Sequence, residues 1–327
     1  MLPHVPDRAR PMIVALAGGV GGAKLAEGLA VAVPPAELTV VVNTADDFDL
    51  YGLRICPDLD TVLYTLAGMA DPVQGWGVVG DTTSTLRAIA RLGREPWFKL
   101  GDQDFATHIL RTEQLRAGLP LSEVTAGFAT ALGVRSRMLP MTDDTVATLL
   151  ETPAGVLAFQ DYFVARRQND DVLGVRFAGI AEATAAPGVL AAIAAADAIV
   201  VCPSNPYVSV GPIVATPGIG EALRATAAPV VAVSPIVGGK AIKGPAARML
   251  ESMAGEASSL AVARLYAGWV DGLVLDDADA ASAPEIERLG MRTLVTATVM
   301  GGRDDRARLA AEVVAFGASL APAGSRR

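Results

Sequence analysis

The feature that most constrains the fold is an apolar hexapeptide that leads directly into a run of glycines. Residues 12–17 (MIVALA) are uniformly apolar, as expected of a strand buried on both faces of a parallel sheet. Four glycines lie within residues 18–22, residues 23–33 have the pattern of a helix, and residues 38–43 (LTVVVN) are a second apolar run. A strand, a helix and a second strand in about 32 residues suit a right-handed parallel crossover. The N-terminal part therefore predicts an α/β protein with a parallel sheet.

The rest of the chain extends this pattern. Four helices are predicted at 58–70, 81–92, 102–117 and 121–132, each beginning near an Asp or Ser residue suited to N-capping. Further strands are predicted at 135–139, 146–151, 155–159, 198–201, 230–233 and 272–275. We therefore predict an α/β fold with a doubly wound, mostly parallel Rossmann-like sheet and a largely helical insertion after the second strand. The expected organisation is a single domain over residues 1–327, with the insertion at 58–134.

Composition argues against several classes of partner. The net charge of −8 disfavours nucleic acid as the main partner, because that binding rests on neutralising many phosphates. No apolar run approaches the ~20 residues of a membrane span, and the first residues lack the apolar core of a signal peptide. Cys56 and Cys202 are too few for a disulfide framework. We therefore expect a cytoplasmic protein with small-molecule ligands and no nucleic-acid or membrane partner.

The basic residues are unevenly divided between arginine and lysine. Only Lys24, Lys99, Lys240 and Lys243 are lysines, and all four lie in or beside segments that contain glycine. Because an ammonium group is a compact point charge, these positions are candidates for holding anions. Chance placement on the surface is the alternative for any one of them.

The first candidate site is the run Gly18-Gly19-Val20-Gly21-Gly22-Ala23-Lys24. Glycines after a strand let the backbone approach a phosphate, and the following helix offers free N–H groups and the positive end of its dipole. The run matches neither the dinucleotide fingerprint nor the Gly-Lys-Ser/Thr ending of a P-loop. It predicts a phosphate site that is neither a typical dehydrogenase nor an ordinary NTPase site. A purely structural glycine turn is the alternative.

Acidic side chains follow the second strand and begin the first helix of the insertion. Asn43, Asp46 and Asp47 come directly after the strand, where a doubly wound fold meets the sugar of a nucleotide. Asp58 and Asp60 are spaced so that both could face one cleft. Mg²⁺ takes one or two carboxylates together with substrate phosphates, so these segments predict a metal site. The alternatives are an Asx turn, an N-cap at Asp58 and a first-turn acid at Asp60.

Later segments add further candidates. His108 is one of only two histidines, and Trp76 and Trp97 precede it and could stack on a flat ring. For each of the three, a structural role is the alternative. Residues 202–206 and 234–245 both follow predicted strands, at the edge where open α/β sheets bind ligands. The second segment has glycines and two lysines, and it predicts another anion site.

Eight segments in this order resemble the CofD/FbiA family, the 2-phospho-L-lactate transferases of deazaflavin coenzyme biosynthesis. They are GGVGGAKL, VVNTADD, PDLDTVLYTL, KLGDQDFATHILR, LPMTDD, FQDYF, PSNPYVSVGPI and SPIVGGKAIKGPA. The resemblance implies transfer of a phosphorylated small acid from a GMP-diphosphate donor to the ribityl hydroxyl of the deazaflavin Fo, with release of GMP, in coenzyme F420 biosynthesis. The acid would be 2-phospholactate, phosphoenolpyruvate or 3-phosphoglycerate. It also implies Mg²⁺ as cofactor and a homodimer.

The resemblance also implies roles for particular residues. By position, Asp60 and Lys99 match deazaflavin contacts, and we expect Asp46 to join them in catalysis. We hypothesise that Mg²⁺ lies among Asp46, Asp47 and Asp60. The residues expected to bind the nucleotide or the acceptor are Gly18, Gly19, Gly21, Gly22, Lys24, Asn43, Asp58, Thr61, His108, Ser204, Asn205, Ser234, Gly238, Lys240 and Lys243.

An alternative function belongs to a different class. Gluconeogenesis-factor proteins share the glycine run and would bind a nucleotide sugar as non-catalytic regulators. The segments PDLDT and KLGD, with aromatic residues nearby, suit a flat acceptor and favour the transferase. A nicotinamide dehydrogenase is disfavoured by the incomplete fingerprint.

Overall fold

The chain folds around a seven-stranded parallel sheet. The structure, a computed structural model, describes residues 11–320. The strands are β1 (Ile13–Ala17), β2 (Leu38–Val42), β3 (Phe48–Leu50), β4 (Leu53–Ile55), β5 (Arg137–Pro140), β6 (Ala147–Thr152), β7 (Gly155–Ala158), β8 (Gly174–Ala178), β9 (Ala198–Val201), β10 (Val230–Val233), β11 (Ile236–Val237), β12 (Lys240–Ala241), β13 (Gly272–Leu275) and β14 (Arg292–Val295). The α-helices are α1 (Gly19–Ala32), α2 (Pro57–Leu66), α3 (Ser84–Arg91), α4 (Asp102–Arg116), α5 (Leu121–Ala131), α6 (Val189–Ala195), α7 (Gly211–Ala215), α8 (Ile219–Ala225), α9 (Ala246–Ala254), α10 (Ser259–Tyr266), α11 (Ala283–Glu287) and α12 (Arg303–Leu320).

The order of the strands confirms the predicted fold class. The central sheet runs β5-β2-β1-β9-β10-β13-β14, and each neighbouring pair is parallel. The chain moves outward from β1 to β2 and β5, then returns to β9 on the other side of β1. The order therefore reverses between β1 and β9, which is where doubly wound sheets bind their ligands. The largely helical insertion lies between β2 and β5, as predicted.

Each face of the sheet has its own core, because side chains alternate along a strand. Ile13, Ala15 and Ala17 of β1 belong to the core formed with α1, α2 and α12. Val14 and Leu16 belong to the opposite core, formed with α6, α7, α8 and α10. Both sets are buried, which explains why β1 is apolar at every position.

Within residues 11–320, no helix combines the length and apolarity that crossing a bilayer requires.

Several strands differ from the prediction. β6 and β7 do not join the central sheet, because they pair with β8 in a separate antiparallel sheet of order β7-β6-β8. The β3–β4 hairpin, β8 and the edge strand β14 were not predicted. None of the four residues of β14 is buried, so the strand lacks the apolar run that marked the central strands.

Helices of the insertion are capped by side chains from other segments. Asp81 accepts hydrogen bonds from the first backbone N–H groups of α4 at 3.0 and 3.3 Å. Asp102 in turn accepts them from the first N–H groups of α3 at 3.0 and 2.9 Å. Asp143 caps α5 through the N–H group of Ser122 at 2.6 Å. The expectation that Asp81 would cap the helix that it precedes was therefore wrong, because Asp81 and Asp102 exchange partners.

The glycine run is part of a helix and not a turn ahead of one. α1 begins at Gly19, four residues before the predicted start at residue 23. A Cβ atom at Gly21 would overlap the carbonyl oxygen of Pro203, and one at Gly22 would lie 2.7 Å from Ser204 Oγ. These two glycines therefore let α1 pack closely against the loop after β9, which is the structural role given above as the alternative.

We expect Gly21→Ala to lower the free energy of unfolding by about 1–3 kcal/mol, because the added methyl group must displace the Pro203 backbone. The matched control is Gly127→Ala in α5, where a Cβ atom would meet no heavy atom within 4 Å. That control should gain up to about 1 kcal/mol from the better helix propensity of alanine. Urea denaturation of the ligand-free proteins measures both. A Gly21→Ala protein as stable as the parent would contradict the packing explanation.

Candidate active site

A large cavity of about 670 Å³ opens at the carboxyl ends of the central strands. Its walls come from the N-terminus of α1, the insertion, residues 159–164 and the loops after β9 and β10. The predicted site residues that line it are Gly18, Gly19, Gly21, Lys24, Asp46, Asp58, Asp60, Thr61, Lys99, His108, Ser204, Asn205, Ser234 and Lys243. Those that do not are Gly22, Asn43, Asp47, Gly238 and Lys240. Most of the predicted residues therefore converge on one cavity from distant parts of the chain.

The N-terminus of α1 is capped by a carboxylate from α2. The Gly19 N–H group donates to Asp58 Oδ1 at 2.8 Å, and the Ser204 hydroxyl donates to the Gly18 carbonyl at 2.8 Å. Gly19 has a φ of 60°, a conformation that glycine adopts without a Cβ clash. Asp58 therefore caps a neighbouring helix and not its own. A phosphate bound at this helix would lie beside a carboxylate, and a cation between the two would relieve their repulsion.

Asn43 holds two carboxylates side by side beneath the cavity. Its amide donates to Asp46 Oδ2 at 3.2 Å and to Asp58 Oδ2 at 2.9 Å. Burial, followed by the charge of Asp58, raises the pKa of Asp46 well above its ordinary value, and burial raises the pKa of Asp58 to about 6. The other oxygen of Asp46, Oδ1, is buried and has no hydrogen-bond partner in the part of the chain that the structure describes. Two like charges held together in this way indicate a place for a cation.

These carboxylates fit Mg²⁺ in a different combination from the one hypothesised. Asp47 does not line the cavity, and its side chain lies 3.9 Å from Arg54. Asp60 is engaged by Arg111. No group of three or more His, Cys, Asp or Glu side chains within residues 11–320 is arranged to hold a metal. Asp46 and Asp58 remain, and two carboxylates suffice for an ion that also binds substrate phosphates.

Asp60, Arg111 and His108 form a buried network beside the cavity. Arg111 donates to both oxygens of Asp60, with Nη1 at 3.1 Å from Oδ2, and its Nη1 lies 3.2 Å from His108 Nδ1. Burial alone would lower the pKa of Arg111, but the Asp60 carboxylate outweighs it and raises that pKa. Burial lowers the pKa of His108 to about 4, against the opposing effect of Asp60. The charge of the Asp60 carboxylate is therefore balanced by Arg111, and two hydrogen bonds from Arg111 fix its position.

The insertion gives the cavity an aromatic wall. Tyr64, Trp76 and Phe98 line it together with Lys99, whose Nζ lies 5.4 Å from the centroid of the Trp76 ring. Lys99 also donates to Gln74 Oε1 at 2.6 Å. Trp97 does not line the cavity, because its ring packs 5.7 Å from that of Phe48. Of the two tryptophans considered from the sequence, Trp76 is therefore the one that lines the cavity.

Lys24 and Lys243 bond at the cavity to backbone carbonyl oxygens that a ligand could replace. Lys24 donates to the Met300 carbonyl at 2.9 Å, and Lys243 donates to the Gln74 carbonyl at 2.5 Å. Burial lowers the pKa of Lys24, and the nearby charges of Arg306 and Lys243 lower it further. Gly238 and Lys240, the other candidates of the segment 234–245 that were expected to bind a ligand, do not line the cavity. The Gly238 N–H group donates to Asp279 outside the cavity, and Lys240 is exposed in β12.

Arg111 and Gln160 are site residues that were not predicted from the sequence. Arg111 orders Asp60, and Gln160 lines the cavity and donates to the Asp46 carbonyl at 3.2 Å. Both belong to segments quoted for the resemblance, KLGDQDFATHILR and FQDYF. His108 and Arg111 are three residues apart on α4, so helical spacing was an available signal for one of them.

We expect the ligand-free protein to be more stable at pH 6.5 than at pH 8. Burial raises the pKa of Asp47 to about 7 and that of Asp104 to about 6, and Asp46 and Asp58 are shifted in the same direction. The folded chain thus binds protons more tightly than the unfolded chain, so stability is lost as the pH rises through these values. The difference should be on the order of 1–2 kcal/mol in urea denaturation. His108 acts oppositely, but chiefly below pH 6.5, where an unfolded histidine becomes charged.

Addition of Mg²⁺ should reduce the difference in the free energy of unfolding between pH 6.5 and pH 8, because a cation beside Asp46 and Asp58 stabilises their charged forms. A free energy of unfolding that is equal at both pH values, or higher at pH 8, would contradict the prediction.

Comparison with known proteins identifies the family. The family model described as 2-phospho-L-lactate transferase CofD matches residues 13–302. A phosphoenolpyruvate transferase from Streptomyces griseus is 44% identical over 308 residues, covering 92% of this chain and 97% of the relative. A 2-phospho-L-lactate transferase from Methanosarcina acetivorans is 42% identical over 302 residues, covering 92% and 98%.

Solved structures support the fold. Protein BH3568 from Bacillus halodurans, described as a member of the UPF0052 family, matches in two crystal structures with TM-scores of 0.63 and 0.64. They are 17% and 18% identical to this chain, and cover 93% and 94% of it and 99% and 100% of their own chains. At this identity the likeness concerns the fold alone. The family model and the two transferases, by contrast, match nearly the whole chain, and the protein is a phosphotransferase enzyme that belongs to the CofD family.

Proposed function

We propose that the protein transfers a phosphorylated small acid from a GMP-diphosphate donor to the ribityl hydroxyl of the deazaflavin Fo, releasing GMP. The acid is 2-phospholactate, phosphoenolpyruvate or 3-phosphoglycerate. The observation that carries the proposal is the lining of one cavity: it combines glycines and lysines, aromatic side chains of the insertion, and the paired carboxylates of Asp46 and Asp58. The names of the relatives support the reaction class.

The donor fits the wall made by α1 and the loops after β9 and β10. The N-terminus of α1 is the positive end of a helix dipole. Lys24 and Lys243 also line the cavity and add two ammonium groups, whose present partners are the backbone carbonyl oxygens of Met300 and Gln74. A diphosphate can replace a neutral carbonyl, because a charged acceptor makes the stronger hydrogen bond. This wall also lies at the point where the strand order reverses.

The acceptor fits the wall made by the insertion. Trp76 and Phe98 present flat apolar surfaces, and Tyr64 and Leu100 line the same part of the cavity. A tricyclic ring can stack on such side chains. Asp60 lies at this wall and is fixed by Arg111, so its carboxylate can accept a hydrogen bond from an incoming hydroxyl without changing position.

The chemistry forms a bond between the ribityl oxygen and the phosphorus that carries the small acid, and breaks the bond from that phosphorus to GMP. Such a transfer depends mainly on positioning and on neutralising charge. Mg²⁺, when held by Asp46 and Asp58 with the donor phosphates, would offset the negative charge of the diphosphate. Lys24 and Lys243 neutralise further charge on the donor, and the hydroxyl proton passes to a carboxylate of the cavity or to water.

The test is incubation of the protein with Fo, Mg²⁺ and each of the three donors separately, followed by measurement of GMP and of the mass of the deazaflavin product. We expect equal amounts of GMP and product with at least one donor. Donor binding without GMP release would instead support the nucleotide-sugar regulator. The homodimer and the cytoplasmic location stay predictions, and the molar mass in solution tests the first.

A further inference from the structure

One polar atom at the acceptor wall is left without a partner. His108 lies on α4, is 2% exposed, and lines the cavity. Its Nδ1 atom lies 3.2 Å from Arg111 Nη1 and 3.6 Å from Asp60 Oδ2. Its Nε2 atom is buried and has no hydrogen-bond partner among residues 11–320. Buried polar atoms are almost always paired, so an unpaired one beside a cavity points to a ligand.

The neighbours of His108 decide which ring nitrogen carries the proton. Arginine can only donate, so the 3.2 Å contact between Arg111 Nη1 and His108 Nδ1 favours a lone pair on Nδ1. The alternative, donation from Nδ1 to Asp60, would span 3.6 Å, beyond the range of a good hydrogen bond. The ring is neutral near pH 7, because burial lowers the pKa of His108 to about 4. These contacts favour the tautomer with its proton on Nε2, in which the unpaired atom is an N–H donor.

The surroundings also restrict what this donor can bind. Asp60 lies beside the ring, Asp104 lies near Asp60, and the guanidinium of Arg111 is already paired with Asp60. A phosphate would be repelled by these carboxylates. A neutral hydrogen-bond acceptor would not be repelled. Tyr64, Phe98 and Leu100, which also line the cavity, are mostly apolar and suit such a ligand.

We propose that His108 donates a hydrogen bond from Nε2 to a carbonyl oxygen or an unprotonated ring nitrogen of the flat acceptor, and that Arg111 is the positioning residue that holds the imidazole in this tautomer. The proposal rests on the proposed function for the identity of the acceptor. It assigns to His108 recognition of the ring and no proton transfer during the reaction.

The first test is binding of Fo, followed by its fluorescence, to the parent, His108→Phe and His108→Gln. Phenylalanine keeps a flat ring but no donor, whereas the glutamine amide nitrogen can occupy the position of Nε2. We expect Fo affinity to fall about tenfold or more in His108→Phe, and to stay within about threefold in His108→Gln. GDP affinity, the control for the donor wall, should be unchanged in both, and melting temperatures show whether each variant is folded.

The second test needs no change to His108. In untagged protein carrying His4→Gln, His108 is the only histidine, so ¹⁵N labelling of the imidazole reports its two nitrogens directly. We expect a proton on Nε2 and none on Nδ1 at pH 7.5, and a shift of the Nε2 signal on addition of Fo but not of GDP. A proton on Nδ1, an Nε2 signal unaffected by Fo, or equal Fo affinity in His108→Phe overturns this proposal alone. Failure of the parent to bind Fo overturns the proposed function as well.

Discussion

Asp46→Asn is expected to lower turnover by about 10²–10³-fold, the loss typical of removing one electrostatic group from a site of this kind. The same change should make the ligand-free protein more stable at pH 8 by about 1 kcal/mol, as is common when a buried active-site charge is removed. Both effects follow from the side-by-side arrangement of Asp46 and Asp58 on Asn43, which is unfavourable without a cation and useful with one. Steady-state GMP release at varied Mg²⁺ and urea denaturation measure them.

The control is Asp47→Asn, the next residue along the chain. Asp47 is also buried with a raised pKa, but it does not line the cavity. The Asp47→Asn variant should therefore keep turnover within about threefold of the parent, because no group at the cavity is removed. It should lose no stability at pH 8, because the cost of burying a charged carboxylate is removed as it is in Asp46→Asn. Equal losses of turnover in the two variants would favour the hypothesis in which both carboxylates bind Mg²⁺. Unchanged turnover in Asp46→Asn would contradict both arrangements.

Arg111→Met is expected to have the largest effect on stability, a loss of about 3–5 kcal/mol in the free energy of unfolding. Arg111 is 2% exposed, and its removal leaves the Asp60 carboxylate buried without its counter-charge. The double variant Asp60→Asn with Arg111→Met removes both charges and should recover roughly half of that loss. Urea denaturation at pH 8 measures the free energy of unfolding of the parent, of Arg111→Met and of the double variant.

The control for this series is Arg166→Met. Arg166 pairs with Asp170 at 2.5 Å, but its side chain is 45% exposed, so water replaces the lost partner. The free energy of unfolding of Arg166→Met should therefore be close to that of the parent. A similar cost for the buried and the exposed pair, or no recovery in the double variant, would show that Asp60 does not depend on Arg111.

The central sheet could be predicted because its strands are buried on both faces, so β1, β2, β9, β10 and β13 each appear as a continuous apolar run. Polar segments that follow these strands line one cavity, since parallel strands end at the same edge of the sheet. β14 has no buried residue and so gave no such signal.

The contacts within the site could not be predicted in the same way. Asp58, Asp60 and Asp47 are near one another in sequence, yet they face Gly19, Arg111 and Arg54 respectively. The partners of Asp58 and Asp60 depend on how α2 packs against α1 and α4, and local sequence spacing does not indicate this packing. The glycines were read as a phosphate-binding turn, and the approach of α1 to Pro203 shows that part of their role is steric.

The exchange of caps between Asp81 and Asp102 couples the segment before α3 to the start of α4. The first N–H groups of α3 depend on Asp102 at the start of α4, and those of α4 depend on Asp81 just before α3. The N-terminus of α1 likewise depends on Asp58 of α2. The acceptor wall is therefore secured by mutual dependence between segments, so that its helices should form and melt together. A change in length between residues 81 and 102 would uncap both helices at once, even though every residue that touches the ligand had been kept.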